Sequence, residues 1–172
     1  MSAIQREIGR MFYLFARLGR IAAAVVVAAS PMTFIAPAIS DVRACSVSVS
    51  AMEELLNWIA RSTDYEIART AADLPDIVTC APGDVIDYAH EATIVDRGIH
   101  GLYDFDERRI YLIEPWDYAD LRDRSVLLHE LFHAVQLDNR EWDCVGAPEW
   151  EAYKLQEAWL AEHGLDADFD WI

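Results

Sequence analysis

The chain has 172 residues, just over half of them apolar, which is long enough for one domain with a buried core and too short to promise two. Its formal charge is −16, with 30 Asp and Glu against 14 Lys and Arg. A surface that acidic repels phosphate backbones and anionic lipid heads, which argues against nucleic acid as a partner.

The first forty residues read as targeting. Arg6, Arg10, Arg17 and Arg20 precede an uncharged apolar run broken by Pro31 and Pro37, and Ala36-Pro37-Ala38 has the small-x-small form of a cleavage site. The expectation is a signal peptide over residues 1–40 and an exported, periplasmic or secreted product; an uncleaved membrane anchor is the alternative. Removing residues 1–38 leaves 10 basic and 29 acidic side chains. Arg43 makes Cys45 a poor lipid-attachment site. An oxidising compartment favours a disulfide between Cys80 and Cys144, with Cys45 left over.

In chain order, Ser50 followed by Glu53 resembles a capping box, and Met52, Leu55, Leu56 and Ile59 recur at helical spacing, which predicts a helix near 50–62. Residues 63–98, with Pro75, Pro82, Gly83 and Gly98, read as loops with one or two short strands. "IHGLYDFDERRIYLI" predicts a hairpin with a solvated tip at Asp104 to Arg108, and its second strand offers an edge on which an extended peptide would lie. From Trp116 to Asn139 a long helix is predicted, apolar over most of its circumference and therefore central. A last helix follows Pro148 and stops at Gly164. Strands followed by two C-terminal helices make an α+β domain. Trp142, Trp150 and Trp159 are expected to cap or fill the core near the last helix. The acidic tail is expected to be solvated, with Phe169 and Trp171 folded back.

The chemistry concentrates in "HELFH". His129 and His133 stand four apart, so on a helix both imidazoles leave one face about one turn apart, within reach of a single ion. Glu130 projects about 100° away, too far round to share the ion and well placed to reach a water beside it. The flanking residues are mostly apolar, so these polar groups need partners. A catalytic zinc takes three protein ligands and leaves a fourth position open. Gln136 and Asn139 stand where the metzincin extension has Gly and His, so the nearest further ligands are carboxylates at the start of the next helix.

"HELFH" followed by "EWEAY" resembles the gluzincin class of zinc peptidases, whose third ligand is the Glu of an E-x-x-A pattern on the following helix. The resemblance assigns that place to Glu149, three before Ala152, with Glu151 as the reserve. The stretch from about 75 to 164 is also similar to a family of short uncharacterised bacterial HExxH proteins that share the Cys five residues before the Glu and the earlier "LYD…IYL" hairpin. It implies that residues 41–172 form a single minimal zincin-like metallohydrolase domain: a small sheet, a central HExxH helix and a C-terminal helix carrying the third ligand. The activity implied is a zinc-dependent metallopeptidase acting on peptide or protein substrates, with Zn2+ on His129, His133 and Glu149 and with Glu130 as general base. Tyr153 departs from the pattern, because gluzincins usually place there an Asp that orients a zinc-bound His; Asp143 or a backbone carbonyl is the expected substitute.

For the oxyanion the candidates are Tyr153, His100, Tyr103, Tyr111 and His163. A different class of function competes with this one: a non-catalytic secreted module whose structural or remnant zinc site staples two helices and which acts through a protein partner. A fourth protein ligand, Glu151 or Cys144, would mark that case.

Overall fold

Ser48, two residues earlier than the capping box suggested, starts the first helix. In the computed structural model, which describes residues 43–44 (backbone only), 47–144 and 146–167, its Oγ accepts the Ala51 N–H at 3.1 Å and α1 runs Val49–Ser62. The expectations for the leader, Cys45 and the tail aromatics Phe169 and Trp171 lie outside the described residues. The buried stripe of α1 holds Met52, Leu55, Leu56 and Ile59, as the periodicity predicts, and Trp58 besides.

The stretch read mainly as loop holds more structure than expected: α2 (Ala68–Ala72), β2 (Asp76–Cys80), β3 (Val85–Tyr88) and β4 (Glu91–Ile94). With β1 (Arg43–Ala44), β5 (Gly101–Asp104) and β6 (Arg109–Ile113) the strands make two sheets. The larger is ordered β1-β2-β6-β5, with β2 and β6 parallel and the other pairs antiparallel; β3 and β4 form the second as a hairpin. Two-residue alternation sorts the side chains of the larger sheet. Ile77, Tyr103, Ile110 and Leu112 join the core under the helices, while Val78, Cys80, Leu102, Tyr111 and Ile113 pack on the opposite face with Ile86 and Val95 of the small hairpin region. Because β6 is paired on both sides, it has no edge to offer a peptide, which corrects the expectation for "RRIYLI". Among the described strands the sheet ends at β5 on one side and at β1 on the other.

The hairpin tip is solvated at its apex, where Phe105, Asp106 and Glu107 are exposed, but not at its ends. Asp104 is 1% exposed, its Oδ1 accepting the N–H groups of Asp106 and Glu107 and its Oδ2 that of Ala89. Arg108 reaches back with Nη1 and Nη2 to Asp138 at 3.0 and 3.2 Å.

The long helix α3 is Leu121–Asn139 and begins later than Trp116. Asp120 stops it earlier: its carboxylate accepts the N–H groups of Arg122 and Asp123, which no helical carbonyl can satisfy. From Leu127 to Gln136 every residue is buried, so α3 is central as predicted. α4 runs Glu149–Glu162 and closes with Gly164 at φ 73 and the Leu165 N–H on Leu160 C=O. Trp159 fills the core, but Trp150 is 61% exposed, and Trp142 lies half-buried under the Arg140 guanidinium. The domain is α+β, and among its described residues no helix is long and apolar enough to cross a membrane.

Cys80 and Cys144 are both free thiols, which corrects the expected disulfide. Cys80 ends a strand inside the core, where burial pushes its thiol up to about 11, whereas Cys144 sits in the exposed approach to α4.

Candidate metal centre

His129 and His133 lie on the buried side of α3, facing the first turn of α4. Their Nε2 atoms are 3.0 Å apart, and both meet Glu149: Oε2 is 3.2 Å from His129 Nε2 and Oε1 is 3.4 Å from His133 Nε2. The structure thus brings together the three residues assigned as ligands, and they form a cluster that could hold a metal ion.

The outer hydrogen bonds fix what these nitrogens can do. Ser125 Oγ donates to the Arg122 carbonyl at 2.6 Å, so it is free only to accept, and it accepts from Gln156 Nε2. That leaves Gln156 Oε1 facing His129 Nδ1 at 3.1 Å, which must be the protonated nitrogen. In the same way Gln136 Nε2 donates to the Pro148 carbonyl, so its Oε1 takes the proton of His133 Nδ1 at 2.9 Å. Both neutral imidazoles therefore turn the lone pair of Nε2 to the same point as the Glu149 carboxylate. Three acceptors facing one another repel unless a positive charge lies between them, and two imidazoles with one carboxylate are the donor set that zinc favours.

The charges agree with this geometry. Where a proton stands on Nε2 in place of a metal ion, hydrogen bonds from the imidazoles hold the Glu149 carboxyl well below the usual carboxylate range. Burial disfavours the His133 cation, but Glu149 and Glu130 outweigh it and raise its pKa. The point where the three residues meet thus favours positive charge.

Asp143 and a backbone carbonyl were the expected orienters of the imidazoles; two glutamine amides do the work instead. Tyr153 packs edge-on against the His129 ring at 4.6 Å between centroids. Gln136 has a second use, since its bond to Pro148 hangs the start of α4, and hence Glu149, from α3. Glu151, the reserve ligand, is held elsewhere by Tyr65, by Arg140 at 2.8 Å and by Gln136 at 3.4 Å.

Glu130 is 7% exposed and lines, with the three clustered residues, a cleft of about 920 Å³ between α3, α4 and β5. Burial raises its pKa. Gly101 of β5 makes room for it, since a Cβ there would fall 2.7 Å from Glu130 Oε1. Of the oxyanion candidates, Tyr153, His100 and Tyr103 line the cleft. Tyr111 points to the other face of the sheet, donating to Asp87 C=O, and His163 stacks on Trp159. Sequence reading missed Gln136, Gln156, Gly101 and Tyr88, all of which line or brace the site. The one local signal was Gln136, an uncharged amide three residues after His133 on the same helix.

Fold and site define an α+β domain whose two central helices bring a His-His-Glu cluster, suited to a metal ion, beside a buried glutamate in a cleft. Residues 44–172 match the family described as a domain of unknown function, DUF6647, and the chain belongs to that family. No curated protein and no solved structure matches it.

Proposed function

We propose that this protein is a zinc-dependent metallopeptidase of minimal, zincin-like gluzincin type, exported by its N-terminal segment. One observation carries the reading: a buried carboxylate that belongs to no part of the ligand cluster, Glu130, shares the cleft with it. A structural staple has no use for such a group, and keeping it buried costs stability. The engagement of Glu151 with Tyr65, Arg140 and Gln136 also supports three protein ligands rather than four.

A bound zinc ion supplies Lewis acidity, lowering the pKa of a water toward ~7 and polarising a substrate carbonyl. Glu130 holds and moves the proton. Its raised pKa suits a base that takes a proton from the attacking water and later releases it to the leaving amine. Gln136 and Gln156 keep the imidazoles in the tautomer that presents Nε2, and the apolar lining of Val126, Leu102 and Leu160 limits water.

The test is metal content by elemental analysis of the purified protein beside His129→Ala and Glu130→Gln, followed by a peptide-hydrolysis screen. One zinc per chain, lost in His129→Ala and kept in Glu130→Gln, with turnover lowered about 10²–10⁴-fold in the latter, is the expected result. Zinc bound with full turnover in Glu130→Gln would remove Glu130 from its role. No zinc after reconstitution would sink the whole reading.

A further inference from the structure

The small β3–β4 hairpin does more than cover the back of the sheet. Its last strand residue, Tyr88, reaches round the edge strand β5 into the cleft, where it stands with Glu130, Glu149 and Tyr103. The backbone that aims it is unusual. Ala89 and His90 sit at φ 53 and 63, in the left-handed region that hairpin turns normally give to Gly or Asn. Both neighbours of Tyr88 are clamped: Asp87 C=O accepts the Tyr111 hydroxyl at 2.6 Å, and Ala89 N–H donates to buried Asp104 at 2.9 Å. Strain held in place beside a cleft is a mark of function.

The ladder of β5 shows what Tyr88 blocks. Ile113 N–H bonds His100 C=O, and in an antiparallel pair alternate residues face the partner. His100, Leu102 and Asp104 therefore face β6, while Gly101 and Tyr103 turn their N–H and C=O outward. At Tyr103 the outward carbonyl lies 3.5 Å from the Tyr88 hydroxyl, so the edge is covered there. Gly101, against Glu130 and Val126, carries no side chain to cover it. Beyond Gly101 the cleft continues along Gly98, Ile99 and His100 past Arg122 and Asp123. A peptide on this edge with its scissile bond at Glu130 thus has a long way to run in one direction. In the other it meets Tyr88 about two residues on, since Gly101 and Tyr103 are two strand positions apart.

The blocked end is acidic. Asp104, at the end of β5, holds the Ala89 N–H at 2.9 Å beside Tyr88, whereas Arg122 lines the cleft beyond Gly101. Arg108, between β5 and β6, is bound to Asp138 and Asp73. An ammonium group suits that end and a carboxylate does not.

Resting on the peptidase reading, we propose that the cleft takes peptides by a free amino terminus, lodged at the Tyr88 end, and that hydrolysis releases one or two residues at a time. Water oxygen bonds to the scissile carbonyl carbon, the C–N bond breaks, and the water's proton passes through Glu130 to the departing amine of the shortened peptide.

The experiment uses the zinc-loaded protein and two sets of leucine- and alanine-containing pentapeptides, one with free and one with acetylated amino termini, with products read by mass spectrometry. The same peptides are titrated calorimetrically into zinc-loaded Glu130→Gln. Free-amine peptides should be shortened from the amino end, with kcat/KM at least tenfold above the acetylated set and a matching preference in binding. Tyr88→Ala should bring the two sets within about threefold, while Tyr88→Phe, which keeps the bulk, should retain the preference; if Tyr88→Ala does not fold, the wild type and Tyr88→Phe decide. Equal cleavage of acetylated peptides, or internal cuts by the wild type, would overturn this proposal and leave the peptidase standing. No hydrolysis with selective binding of free-amine peptides would keep the proposal of an amine-lodging cleft and remove the peptidase. Neither hydrolysis nor binding overturns both.

Discussion

A methyl group at position 101 has nowhere to go. Built on the β5 backbone it would lie 2.7 Å from Glu130 Oε1 and 2.8 Å from both Glu130 Cγ and Val126 Cγ1, with Glu130 held on the central helix. Gly101→Ala must therefore push the strand or the carboxylate, at a cost of about 1–3 kcal/mol for an overpacked site. The expected outcome is a folded protein with its metal content intact and turnover lowered on the order of 10²-fold, because a misplacement of about 1 Å at reacting groups has that effect. Metal analysis beside steady-state kinetics checks it; unchanged turnover would show that Glu130 does not need its present position. At this scale the sequence was legible where the chemistry is local. His129, Glu130 and His133 declare themselves because a helix places residues four apart on one face. Glu149 was read through its resemblance pattern. Gln156 was not, since its bond to His129 spans 27 positions and nothing in an ordinary helical glutamine announces it. Gly101 drew no reading of its own, and only the approach of α3 shows why it carries no side chain.

Elements were legible in proportion to their length and periodicity. α1, α3 and α4 each repeat an apolar pattern over several turns, and each was found, α1 and α4 nearly at their ends and α3 beginning later than Trp116. The strands β2 to β4 are four or five residues long, too short for alternation to stand out from loop. The acidic hairpin tip misled at its two ends for another reason: Asp104 and Arg108 look solvated unless their distant partners are known. Arg108 and Asp138 are such a pair, 30 positions apart, joining the hairpin to the end of α3. Thr70 and Arg69 add further contacts to Asp138, which ties α2 to the same point. Burial opposes ionisation of Asp138, but hydrogen bonds from Arg108 and Thr70 prevail and lower its pKa. A carboxyl lowered on folding stabilises the fold above its unfolded pKa of about 3.9, and that stabilisation is lost as pH falls through the folded value. Asp138→Asn should cost roughly 2–3 kcal/mol at pH 7, because it leaves Arg108 without its main partner. The gap to wild type should narrow as pH drops below about 4. Urea unfolding from pH 3 to 7 measures both, and a gap independent of pH would mean that the charge of Asp138 contributes nothing.

For the whole domain, the cluster is a cross-link between its two central helices. His129 and His133 belong to α3 and Glu149 to α4, and the loop between these helices carries none of the three. Without a positive charge between them, two imidazole lone pairs and a carboxylate repel across about 3 Å. An ion held there binds the folded chain and finds no preformed site in the unfolded one, so its binding free energy adds to folding. At a free concentration 100 times its dissociation constant that is about 2.7 kcal/mol. For a domain of this size the corresponding rise in Tm is about 5–15 °C. Stripping the protein with a chelator should therefore lower Tm by that amount, and stoichiometric zinc should restore it, as read by scanning calorimetry. Glu149→Ala should abolish the shift, since it removes the only strut from α4. Glu130→Gln should keep it whole, because Glu130 lies outside the cluster and, on the proposed peptidase reading, contributes to turnover and not to the cross-link. The two carboxylates thus separate by experiment: one moves the melting temperature and the other moves the rate. A protein in which both variants lost the shift together would have Glu130 among its ligands, and its cleft would have no base left to work with.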